Sequence, residues 1–148
     1  MGCSRKWPRR LVVIAWLGLT LPLVSCGKPA RPAVYPVHGQ VLDANDKPAV
    51  GALVIFHPKG ATGGEALKPL GYVDADGTFA LTTFTKGDGA PAGEYALTIE
   101  WHPPPANPFA KKETADQLQG RYGDPQTSNL SFTVAQQPDN TIPPIRLQ

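Results

Sequence analysis

Proline is the residue that most narrows what this chain can become. Of its 17 prolines, fifteen lie at or beyond Pro29. A proline breaks a helix interior and cannot donate to the ladder of a central strand. A chain punctuated this often is expected to fold as short strands joined by turns. The residues between the prolines carry that pattern. In VHGQVL (37–42), Val37, Gly39 and Val41 share one face. VGALVIFH (50–57) puts Val50, Ala52, Val54 and Phe56 inward and Leu53 and Ile55 on the other face, which predicts a central strand covered on both sides. LGYVD (70–74) and TFALTTF (78–84) flank DADG, whose Asp-Gly pair is a hairpin signal. GEYALTIEW (93–101) alternates Tyr95, Leu97, Ile99 and Trp101 with Glu94, Ala96, Thr98 and Glu100. LSFTVA (130–135) and IPPIRLQ (142–148) add Leu130, Phe132, Val134, Ile145 and Leu147. About seven short strands with turn chemistry between them predict one all-β sandwich.

Residues 103–129 interrupt this rhythm. A structureless loop of that length is uncommon in a compact domain. Its KKETADQLQ stretch has helix-forming composition, enough for one or two turns.

The first 25 residues stand apart from the domain. Arg5, Lys6, Arg9 and Arg10 precede an apolar run from Leu11 to Val24. This is the architecture of a secretory signal, and it is shorter than the roughly 20 residues of a spanning helix. LVSC, ending at Cys26, resembles the lipobox of bacterial lipoproteins, whose cysteine receives a diacylglycerol and becomes the mature N-terminus. That resemblance implies lipid attachment at Cys26, and a membrane partner reached through it. Gly27, rather than Asp, follows the cysteine, which under the best-known sorting rule for that class favours the outer membrane. MGCSRK is not a myristoylation start, because Lys6 stands where Ser or Thr is required. The expected division is a signal at 1–25, a semi-rigid Pro-rich tether at 26–36, and a β-domain at 37–148.

Maturation changes both charge and redox chemistry. The chain has 14 Lys and Arg against 12 Asp and Glu, and four of the basic residues lie in the signal. No basic cluster larger than Lys111-Lys112 remains, so nucleic-acid binding has no electrostatic footprint. Cleavage removes Cys3 and acylation consumes the thiol of Cys26. The mature domain is therefore expected to hold together without a disulfide, despite an oxidising compartment.

Three further motifs carry a family resemblance. Gly39, Val41, Pro48, Gly51, Ala52 and Val54 resemble the opening of carboxypeptidase regulatory-like domains. Asp74, Gly77 and Phe79 are similar to that family's Asp-x-x-Gly-x-Phe hairpin. Pro91, Gly93 and Tyr95 are similar to its Pro-x-Gly-x-Tyr turn. The resemblance spans residues 37–99 and implies a transthyretin-like (prealbumin-like) Greek-key sandwich of about seven strands. The segment GRYGDPQTSNLSFTV resembles small lipoproteins of planctomycete-type bacteria, a likeness that implies no particular activity.

Candidate chemistry is sparse. His38, His57 and His102 are each out of phase with the inward residues of their strands. They are expected to face solvent rather than converge on a metal. DADG lacks the further oxygen ligands and distal Glu of a calcium loop. Ser128 and Ser131 have no histidine near them in sequence. Arg121, Tyr122 and Asp124 suggest either a polar site or a turn anchored by Asp124-Pro125, with the turn preferred. Tyr95 and Trp101 suggest a sugar platform, but their shared inward face favours the core. No catalytic, cofactor-binding or metal-ligating residue is expected. The reading is a lipid-anchored envelope module with a structural or protein-interaction role. The alternatives are a domain binding carbohydrate or another small ligand, and a hydrolase of unrecognised type.

Overall fold

Where the sequence alternates, the chain pairs. The computed structural model describes residues 31–60, 66–103 and 114–148, all within a compact unit spanning Arg31–Gln148. The expected signal at 1–25 and Cys26 lie outside the described residues. The strands are β1 (Val34–Tyr35), β2 (Val37–Leu42), β3 (Leu53–Pro58), β4 (Leu70–Tyr72), β5 (Thr78–Ala80), β6 (Ala90–Pro91), β7 (Gly93–Glu100), β8 (Ser131–Val134), β9 (Asn140–Thr141) and β10 (Ile145–Arg146). The described residues form no helix, so the fold is all-β.

Two four-stranded sheets carry the core. In one, β2 lies between β5 and β10 and also pairs with β9; in the other the order is β4-β3-β7-β8. β2 pairs antiparallel with β5 but parallel with β9 and β10. The turn between β4 and β5 joins the sheets at a corner. Gly77 N donates to Asp74 O at 3.0 Å, and Gly77 has φ of 85°. Glycine reaches that left-handed conformation without the steric cost of a Cβ. Leu70 and Thr82 exchange backbone hydrogen bonds of 3.1 and 2.8 Å, joining the first residue of β4 to the chain just beyond β5.

Val37, Val41, Phe79, Leu81, Ile142 and Leu147 from the first sheet and its connections share one cluster with Val54, Phe56, Tyr95, Leu97, Ile99 and Val134 from the second. Phe56 and Phe79 are among the largest fully buried side chains. Each contributes roughly 2–3 kcal/mol by removing its ring from water. Phe56 also lies 5.4 Å from Tyr95 and 6.5 Å from Phe132, centroid to centroid, in tilted and edge-on geometry.

Several expectations need correction. Among the described residues the strands number ten, because β1, β6 and β9 have only two residues each and no periodicity to betray them. Val50 is 44% exposed rather than inward. It belongs to a turn closed by Ala52 N donating to Ala49 O at 3.0 Å, and the strand starts only at Leu53. Trp101 lies beyond the end of β7, half-buried, with Nε1 donating to Val50 O at 2.9 Å. β5 stops at Ala80 rather than Phe84, because the chain turns there into a loop held by Asp88. Phe79 pairs with Gly39 of β2, not directly with the LGYV strand.

The described part of the long connection, 114–129, is a chain of turns and not a helix. Asp116 takes its amides away: its carboxylate accepts from Trp101 N and Leu118 N at 3.0 Å and from Gly120 N at 2.8 Å. Gln119 and Gly120 both have positive φ, which ends any helical turn. Residues 104–113 lie outside the described residues. The last part of the expected tether is built into the domain. Val34 and Tyr35 pair with Pro91 and Ala90, and Pro36 O accepts from Asn140 N at 3.0 Å. Arg31 stacks its guanidinium 5.2 Å from the Phe84 ring centroid.

Candidate functional site

The β4–β5 hairpin exposes a groove of about 420 Å³ on its outer face. Its walls follow from alternation. Val73, Phe79 and Leu81 point into the core, so their neighbours Tyr72, Ala80 and Thr82 point out. Leu70 stands opposite Thr82, and the same register sets Tyr72 opposite Ala80. Tyr72 is 62% exposed and Leu70 37%, both large for a strand that borders a core. Lys86 and Gly87 close one end, where Gly87 N donates to Thr82 Oγ1 at 3.0 Å; Asp74 borders the other. Gly71 lines the floor, and a Cβ there would sit 2.7 Å from Ala80 O.

The three histidines occupy separate places. His38, on β2, faces Ala80 on one side and Thr141 on the other. Its Nε2 is 3.1 Å from Thr141 Oγ1 and its Nδ1 is 3.3 Å from Asp139 Oδ1. Hydroxyl, imidazole and carboxylate thus stand in the order of a nucleophile relay. However, about half or more of both the His38 and Asp139 side chains is exposed. In that high dielectric their mutual interaction is weak, and little is left to stabilise a developing oxyanion. The contacts hold the two-residue β9 against β2. His57 is half-buried rather than turned to solvent, with Nε2 2.9 Å from Thr98 Oγ1. Burial pushes its pKa below the ordinary value, and Lys68 adds to that. His102 is exposed, with Nδ1 2.8 Å from Thr114 O. Among the described residues, no three His, Cys, Asp or Glu side chains gather to hold a metal ion.

The other candidates resolve into structure. Tyr95 is 3% exposed, and its hydroxyl donates to Pro91 O at 2.8 Å, so it offers no face to a ligand. Asp76 accepts from Thr78 N and Oγ1 within the hairpin turn. Asp124 anchors a turn, accepting from Gln126 N at 2.7 Å through its side chain and from Thr127 and Ser128 through its carbonyl. Arg121 and Tyr122 both engage Gln148, Arg121 donating to its carbonyl and Tyr122 accepting from its amide. Ser128 is buried and Ser131 lies exposed on β8.

Of the residues lining the groove, sequence reasoning singled out only Asp74, and that as a turn residue, although a signal for Tyr72 existed. Once DADG is read as a two-strand turn, Tyr72 falls on the outer face with Ala80 opposite it, an aromatic with no core to enter.

No family model matches the chain, and no curated protein matches it. Among solved structures, a 9R-lipoxygenase from Cyanothece PCC8801 aligns with 14% identity and a TM-score of 0.41. The alignment covers 81% of this chain and 18% of the lipoxygenase. The chain thus spans under a fifth of that protein, and a likeness this slight carries neither fold nor activity across.

Proposed function

We propose that the protein is a lipid-anchored module of the bacterial cell envelope, a transthyretin-like β-sandwich of the carboxypeptidase regulatory-like type that serves a structural or protein-interaction role and is not an enzyme. The observation that carries this reading is the LVSC sequence ending at Cys26, followed within five residues by a compact unit that begins at Arg31. A short acylated leader of this kind holds a domain at a membrane surface, and two or more acyl chains make such anchoring stable. Two sheets sharing one core, joined through the Asp74–Gly77 hairpin and closed by the Pro91–Tyr95 contact, support the domain type. Leu70 and Tyr72, exposed together along the groove over the hairpin, support a surface built for contact.

Fractionation tests the anchor. The parent protein is expected in the membrane fraction at the mass of an acylated mature chain. Cys26→Ser is expected in the soluble fraction. A Cys26→Ser protein that stays with membranes at its precursor mass means that the Leu11–Val24 run itself is the anchor, and the reading fails.

A further inference from the structure

We propose that the groove over the β4–β5 hairpin binds a saccharide ring, with Tyr72 as the stacking platform. The site rests on the described residues alone and is independent of what happens at Cys26.

The floor is flat and apolar. Gly71 lines it through its backbone alone, since a side chain at that inward position would turn toward Phe79 and not into the groove. Ala80 adds only a methyl group between Tyr72 and the Lys86–Gly87 end. Tyrosine joins an apolar ring to a polar tip, a combination suited to a surface where one face meets a ligand. Tyr72, at 62% exposure, stands at the edge of this floor. A groove of about 420 Å³ also lies within the roughly 300–1,000 Å³ range of small-molecule sites.

The rim is polar and electrically balanced. Asp74 supplies acceptors at one end and Lys86 supplies donors at the other. The Thr82 oxygen accepts from Gly87 N, which leaves its hydroxyl proton free to donate. His38, paired with Ala80 in the neighbouring strand, extends the polar edge. One charge of each sign gives no net pull on a polyanion or polycation. An occupant that matches a flat apolar floor inside a hydrogen-bonding rim has an apolar face and a polar perimeter. A pyranose, with C–H groups on one face and hydroxyls around its edge, has that chemistry.

Calorimetry on the full chain in a non-glycosidic detergent, titrated with chitotetraose, cellotetraose and maltotetraose, tests the proposal. At least one is expected to bind, with an affinity that does not change as salt is raised, because neutral ligands are not screened. Tyr72→Ala is expected to weaken that binding about tenfold or more while leaving the melting temperature in place, because the ring is mostly exposed. Tyr72→Phe keeps the stacking face and is expected to retain binding. Ala80→Phe fills the floor and is expected to abolish it. Silence from all three oligosaccharides overturns the proposal. So does Tyr72→Ala or Ala80→Phe binding as the parent does, or an affinity that collapses with salt.

Discussion

Gly39 lies against the ring of Phe79 so closely that a Cβ on residue 39 would stand 2.9 Å from Phe79 Cε1 and 3.0 Å from Ile142 Cβ. The contact joins β2, β5 and the segment after β9 across one point of the core. It explains why a strand residue is glycine at an inward position: the aromatic ring fills the space that a side chain would take.

This contact makes the strand register testable. Phe79→Ala is expected to cost about 3–5 kcal/mol, the transfer and cavity terms together. That is a large share of the roughly 5–15 kcal/mol that holds a domain of this size, and the melting temperature should fall by about 10 °C or more. Gly39→Ala is expected to cost about 1–3 kcal/mol through overpacking. Thr78→Ala, next in sequence but outward-facing, loses only a surface hydroxyl bonded to Asp76 and should melt close to the parent. Thermal denaturation of the three variants checks the order. Equal melting of Phe79→Ala and Thr78→Ala contradicts the inward placement of Phe79.

Gly89 makes a second prediction, about the segment that leads into the domain. It has φ of 93°, and a Cβ there would collide with the Tyr35 carbonyl and stand 2.8 Å from Pro36 Cα. Backbone atoms cannot rotate away as a side chain does. Gly89→Ala is therefore expected to displace Tyr35 and break the β1–β6 pair, on top of its conformational cost. Limited proteolysis should show new cleavage around residues 31–36 in the variant. Unchanged protection there counts against the tight docking of β1.

Much of this architecture is legible in the chain itself, and the rest is hidden for physical reasons. β2, β3, the β4–β5 hairpin and β7 show alternation or turn chemistry over short spans, and local spacing reveals both. The pairing of β9 and β10 with β2 joins residues about a hundred positions apart, in parallel. No turn between them announces it. Loops held by a single carboxylate are equally silent, because an Asp that captures three amides has the same letter as one in water. Tyr72 is the instructive case for the candidate site. Its outward direction follows from the hairpin, but the groove beside it depends on Gly71, Ala80 and Gly87 coming together as small residues from separate segments.

Asp88 illustrates the silent loops and yields a prediction in acid. Its carboxylate accepts from Thr83 N at 2.7 Å and from Phe84 N and Thr85 N at 2.9 Å. Burial by itself raises the pKa, and the three amides more than offset it, so the carboxyl ionises below its ordinary value. A depressed folded pKa contributes stability that is present above the unfolded value, near 3.8, and lost as pH falls through the lower folded value. Asp116, held below the usual carboxylate range by the Trp101, Gly120 and Leu118 amides against the effect of burial, adds in the same direction. The melting temperature is therefore expected to drop as pH goes from about 4 downward. Asp88→Asn should be less stable at neutral pH and show a shallower acid decline. An acid decline as steep as the parent's in Asp88→Asn assigns the effect to other groups.

Tyr95 predicts the opposite limb. The phenol is 3% exposed, packs 5.4 Å from Phe56, and donates its proton to Pro91 O at 2.8 Å. Burial raises its pKa above the ordinary value of 10.0, because the phenolate would lose its water. With the folded pKa raised, the native state holds the proton more tightly than the unfolded chain does. The stability from this group is complete below pH 10 and declines as pH rises from there through the folded pKa. Tyr95→Phe removes both the titration and one hydrogen bond. At neutral pH it is expected to cost about 0.5–1.5 kcal/mol, since the Pro91 carbonyl loses its partner. As pH rises from about 10 the parent should lose melting temperature faster than Tyr95→Phe, so that the two curves converge. Parallel curves would mean that the Tyr95 hydroxyl does not titrate with folding, and that its bond to Pro91 is not what closes the turn into β7.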